Sequence, residues 1–142
     1  MSFSDAPLLR PMAGLCLWTF AMEVWLYSKR IPAIIKYDVK FPPNSLPSDI
    51  KSKLPRHIEW PAENFTNLHE QPTVFYAVCL ALTQIGVKDS FAVNLAWAYV
   101  GIRVGHSIVQ AKFNNVLLRL QLFLLSGVTL ATLTTKLALN VF

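Results

Sequence analysis

Three stretches, residues 12–27, 91–111 and 116–139, are long and nearly free of charge, and they constrain the fold more than any other feature of the chain. A fourth apolar run covers residues 73–87 and follows a polar approach. An apolar helix needs about 20 residues to cross about 30 Å of hydrocarbon, so the fourth run reaches that length only if its lead-in from about Ala62 is helical too. The expectation is therefore an all-α chain of four transmembrane helices, at about residues 8–28, 62–86, 90–111 and 115–140, forming one domain over residues 1–142.

Composition agrees with this expectation. Of 142 residues, 54% are hydrophobic and only 15% charged, and the mean hydropathy is +0.41. A chain so apolar is not disordered, and a small soluble domain needs more polar surface than this. Glu23 interrupts the first apolar run and a basic flank follows it, which argues against a cleaved signal peptide. Cys16 and Cys79 fall inside expected spans, where small buried thiols are the ordinary reading.

Residues 29–61 form the long connection. With Ser28 it holds six of the nine prolines (Pro32, Pro42, Pro43, Pro47, Pro55, Pro61), which excludes one continuous helix. It also carries seven of the thirteen basic residues: Lys29, Arg30, Lys36, Lys40, Lys51, Lys53 and Arg56. The positive-inside rule places this loop in the cytoplasm and, with four spans, both termini on the opposite side. The same charges suit anionic lipid head groups. The net charge of +5 is explained by loop topology, so no nucleic-acid partner is expected, and no metal-ligand or phosphate-loop motif occurs.

Polar residues inside apolar runs are costly, on the order of 2.5 to 3.5 kcal/mol for an Arg or Asp at a helix centre. Glu63, Asn67 and Glu70 follow i, i+4, i+7 spacing and make one stripe on helix two. Arg103, His106 and Gln110 make a second on helix three, Asn115 and Arg119 a third on helix four, and Glu23, Tyr27 and Arg30 a fourth on helix one. All four gather at the cytoplasmic end as one polar layer. It reads either as an ion-pair network, with Glu70 against Arg103 and Glu23 against Arg10 or Arg119, or as a cleft for a charged ligand.

The run Asn64-Phe65-Thr66-Asn67-Leu68-His69-Glu70-Gln71-Pro72 resembles the opening of the second helix in the membrane-associated proteins of eicosanoid and glutathione metabolism (MAPEG). Arg103-Val104-Gly105-His106-Ser107 resembles that family's third-helix segment, and Arg119 falls where several members carry a fourth-helix Arg. The resemblance covers about residues 63–127. It implies a homotrimeric four-helix bundle with glutathione as co-substrate in clefts between subunits and a lipophilic substrate arriving from the membrane lipids. Carried over, Asn67 and Glu70 hold the peptide and amino group of glutathione, Arg103, His106 and Gln110 border the cleft, Arg30 meets a carboxylate, and Arg119 is the catalytic group that stabilises the thiolate.

The sequence departs from the family pattern in two places. Glu63 and Asn64 stand where an Arg is common, and Gln110 where a Tyr is. The resemblance thus implies a glutathione transferase or peroxidase, with a non-catalytic structural or lipid-binding member as the alternative. A transporter has less support, since no inverted repeat is visible.

Overall fold

The computed structural model describes residues 6–142, and the described residues are helical with no strand. Six α-helices follow in order: α1 (Leu9–Lys36), α2 (Pro47–Lys51), α3 (Arg56–Asn67), α4 (Gln71–Gln84), α5 (Ser90–Ile108) and α6 (Val116–Val141). A π-helical turn, Val109–Phe113, extends α5. Helix α1 packs against α3, α4 and α5, while α6 packs against α4 and α5.

The core is a column of apolar stripes. Leu15 and Met22 on α1, Phe75, Cys79 and Leu82 on α4, Ala96 and Tyr99 on α5 and Leu133 on α6 are all fully buried. The Phe75 and Tyr99 rings stack with centroids 4.4 Å apart, a geometry that adds to their area burial. Gly14 allows Trp97 to lie close on α1, since a Cβ there would stand 3.3 Å from the indole. Buried positions on α5 run Ala92, Ala96, Tyr99, Arg103, His106 and, in the π turn, Gln110. One face of this helix thus changes from apolar to polar along its length.

Three boundaries differ from the sequence expectation. Helix α1 continues through Pro32 to Lys36 instead of ending near Ser28. Proline removes one backbone bond, but the extra turns bury Ala33 against Val39 and Leu54, and that packing holds the helix. The long connection is consequently folded back on α1, and its last turns already belong to α3. Finally, the expected second helix is two: α3 ends at Asn67 and α4 starts at Gln71, with Glu70 at φ −92°, ψ −97°. Pro72 explains the restart, because its missing N–H is tolerated only in a first turn.

Two tight turns fix the remaining helices. After α4, Gly86 adopts φ +79°, and the bonds Val87 N–H to Leu82 O (2.9 Å) and Gly86 N–H to Thr83 O (3.0 Å) close a Schellman motif. Asp89 then caps α5 by accepting from the Ala92 N–H at 3.0 Å and pairs with Lys136 on α6 at 2.9 Å. After the π turn, Asn114 is left-handed at φ +50°, and Asn115 caps α6 by accepting from the Leu118 N–H.

Only α6 among the described helices is both long and apolar enough to cross a membrane on its own measure, and just 22% of its most apolar window is buried. Arg10 and Glu23 in α1, and Asn94, Arg103 and His106 in α5, lower those helices' apolar character, and α4 has only 14 residues.

Candidate functional site

The polar end of α5 meets the α3–α4 break. Arg103 is fully buried and donates from Nη2 to the Asn67 carbonyl at 2.8 Å. In an unbroken helix that carbonyl would accept from the backbone N–H of residue 71, so the break frees the acceptor that Arg103 uses. A cation at a helix C-terminus is also favoured by the dipole. The Asn67 amide donates to Gln110 Oε1 at 2.9 Å, across to the π turn. The Arg103 guanidinium carbon lies 5.9 Å from the Phe123 ring centroid and the His106 ring 6.3 Å from it, so α6 closes the layer.

Several donors in this layer are buried without a partner among the described residues: Arg103 Nε and Nη1, Gln110 Nε2 and Arg119 Nε. The His106 Nδ1 atom is equally alone. Buried polar groups are ordinarily hydrogen-bonded, and a buried guanidinium with one bond is a strong departure from that rule. The surplus is of positive charge and N–H groups, and the chemistry that satisfies it is anionic or rich in carbonyl oxygens.

Arg119 is aimed by the α5–α6 turn, donating from Nη1 to Asn114 Oδ1. It lines two adjoining clefts. One, of about 250 Å³, is bounded by Asn67, His106, Val116, Leu120 and Phe123. The other, of about 320 Å³, is bounded by Lys51, Glu63, Thr66, Asn67 and Gln110. A third cleft of about 370 Å³ shares Lys51, Glu63 and Thr66 with the second and ends at Arg30 and Glu59. Together they form a groove from Arg30 to Arg119, most polar at its middle and apolar at the Val116 end, with Leu26, Tyr27 and Phe65 beside the charged groups at the Arg30 end.

Asn67, Arg103, His106, Gln110 and Arg119 are brought together. Arg30 lies at the far end of the groove, paired with Glu59 at 2.5 Å. Glu70 is exposed at the α4 N-cap and lines none of the three clefts. The pairs anticipated for it and for Glu23 do not form among the described residues; Arg103 takes a carbonyl instead. Glu63 does line the groove, where Lys51 neutralises it at 2.8 Å.

Sequence reasoning missed Glu59, Lys51 and Asn114. Glu59 stands four residues before Glu63 on the same helix face, a legible signal; Lys51 is brought in by the folded-back α2, which no local pattern announces. A second missed feature lies deeper, where Gln71 Oε1 accepts from Tyr99 Oη at 3.3 Å and from Ser126 Oγ at 2.8 Å, linking α4, α5 and α6.

A groove of unpartnered donors opening onto exposed Val116, Leu117 and Leu120 beside a barely buried apolar helix points to an all-helical membrane protein. A soluble core helix would be mostly buried; α6 is not. The chain belongs to the MAPEG family, whose model matches residues 8–139. No curated protein and no solved structure matches it.

Proposed function

We propose that this protein is a glutathione-dependent transferase or peroxidase acting on lipophilic electrophiles or lipid hydroperoxides. The observation that carries the reading is the pair of buried, unpartnered donors on Gln110 and Arg119 in a groove whose lining carboxylates, Glu59 and Glu63, are already neutralised, with the unpartnered Arg103 guanidinium buried against Asn67, one of the lining residues. That donor set fits a tripeptide with two carboxylates. Glutathione supplies the nucleophilic thiol. Asn67 and Gln110 hydrogen-bond its peptide units, Arg103 and His106 border it, and Arg30 and Lys51 meet carboxylates at the far end by exchanging from their glutamates. The Arg119 guanidinium favours the thiolate over the thiol. Val116, Leu120 and Phe123 face the lipophilic partner at the bilayer side.

The same reading has α1, α3 with α4, α5 and α6 as four crossings, the 29–61 connection on the cytoplasmic side and both termini opposite. Exposed apolar residues on α1 and α6, such as Leu17, Val24, Leu124 and Val128, suit a homotrimer in which a neighbour completes the groove. Glu70 then reaches the ligand's amino group where the groove extends onto that neighbour.

Calorimetry of glutathione binding to the detergent-purified protein, with the ultraviolet absorbance of bound thiolate, tests this. Wild type is expected to bind with a thiolate signal that Arg119→Ala loses. An Arg119→Ala variant with undiminished turnover removes Arg119 from the chemistry. A second reading, a non-catalytic lipid-binding member, is favoured by Glu63 in the groove and by Gln110; absence of binding at millimolar glutathione would select it.

A further inference from the structure

A separate cleft of about 420 Å³ opens between α1, α3 and the π turn, lined chiefly by Trp25, Lys29, His57, Ile58, Trp60 and Lys112. It shares no lining residue with the groove. Three basic side chains from three different elements, Lys29, His57 and Lys112, converge on it and no carboxylate does. Among the described residues neither Lys29 nor Lys112 makes an ion pair, whereas Arg30 and Lys51 nearby are both neutralised. The Trp60 indole N–H is buried with no acceptor. The two lysines stand where apolar stretches end, Lys29 just beyond residues 12–27 and Lys112 just beyond 91–111. Tryptophan and lysine at such ends are the residues that meet lipid head groups.

We propose that this cleft binds the phosphate headgroup of an anionic phospholipid. The ammonium groups of Lys29 and Lys112 flank the phosphate, the Trp60 N–H donates to one of its oxygens, and Trp25 with Ile58 covers the glycerol and first methylenes. Free inorganic phosphate shares the anion chemistry but leaves the indole and aliphatic wall without a partner. The volume lies within the range of small-ligand sites, and basic pockets between membrane helices take such head groups.

The test uses the full chain in mixed micelles and follows tryptophan quenching by brominated phosphatidylglycerol and, separately, brominated phosphatidylcholine. Saturable quenching is expected with the anionic lipid, and Trp25→Phe/Trp60→Phe removes most of its amplitude. Lys29→Ala/Lys112→Ala weakens that binding about thirtyfold. The control Lys40→Ala/Lys53→Ala removes the same charge at two lysines of the 29–61 connection that do not line the cleft and leaves the binding unchanged. Lys29→Gln/Lys112→Gln repeats the loss with polar side chains kept, and circular dichroism of each variant verifies folding. Equal affinity for both lipids, or equal losses in the two alanine pairs, overturns the proposal. Saturation of the same response by inorganic phosphate alone overturns the assignment to lipid.

Discussion

Arg103 has an unusual position among the side chains: no exposed surface, one hydrogen bond, and two further nitrogens unpartnered among the described residues. Without a ligand its charge is a burden on the fold; with an anion beside it the burden becomes a contact. Arg103→Met is therefore expected to leave the ligand-free unfolding temperature unchanged or raise it. The same variant should lose the stabilisation that glutathione gives wild type, about 2.7 kcal/mol at a hundred times Kd. Thermal unfolding with and without the ligand reads both halves. Gln71 has the opposite character, since its oxygen accepts from Tyr99 and shares the Ser126 hydroxyl with the Phe123 carbonyl. Gln71→Leu should cost about 1 kcal/mol, measured by unfolding in mixed detergent micelles.

At the scale of elements, the turn between α4 and α5 has two separable parts. A Cβ on Gly86 would meet nothing within 4 Å, so Gly86→Ala isolates the cost of the left-handed backbone, about 1 kcal/mol in the same assay. Asp89 ties this turn to the far end of α6, and its carboxyl is held below the usual carboxylate range, first by Lys136 and then by the Ala92 N–H. A depressed carboxylate stabilises the fold above its unfolded value of about 3.9 and is lost as pH falls through the lower folded value. The melting temperature should therefore be insensitive to this pair above about pH 5 and fall in stronger acid, and Asp89→Asn should flatten that acid limb. Uninterrupted apolar runs made α5 and α6 legible to within a few residues, because a run of that length closed by a turn leaves little choice of helix bounds. The break at residues 68–70 was hidden, since the polar spacing of Glu63, Asn67 and Glu70 fits an unbroken helix equally well. Pro72 was the available signal. The extension of α1 past Pro32 left none, because it rests on Val39 and Leu54, residues brought back by the chain's later course.

For the whole molecule, α6 presents Leu117, Leu124, Leu125 and Val128 outward. Leu124→Arg should cost about 2.5 to 3.5 kcal/mol of insertion and shift the protein into the carbonate-extractable fraction. The topology is checked by single cysteines in a background where Cys16 and Cys79 are replaced. On the proposed topology, cysteines at Lys40 and Asn140 should react with an impermeant maleimide from opposite sides of the sealed membrane. The polar stripes were legible one at a time, and of their members Asn67, His106, Gln110 and Arg119 line the groove while Arg103 is buried beside it. The extent of the groove was not, because α2 reaches it through long-range contacts such as Lys51 with Glu63, made by a folded-back, proline-rich connection.

The distribution of apolar character has a consequence for how the chain is made. Helix α6 is the described helix best able to enter lipid alone, and it leaves the ribosome after α1, α4 and α5. Until it emerges, Gln71 lacks Ser126, and Arg103 and His106 lack Phe123. On the four-crossing reading, the earlier helices would enter lipid less readily than α6 until their most apolar partner follows them.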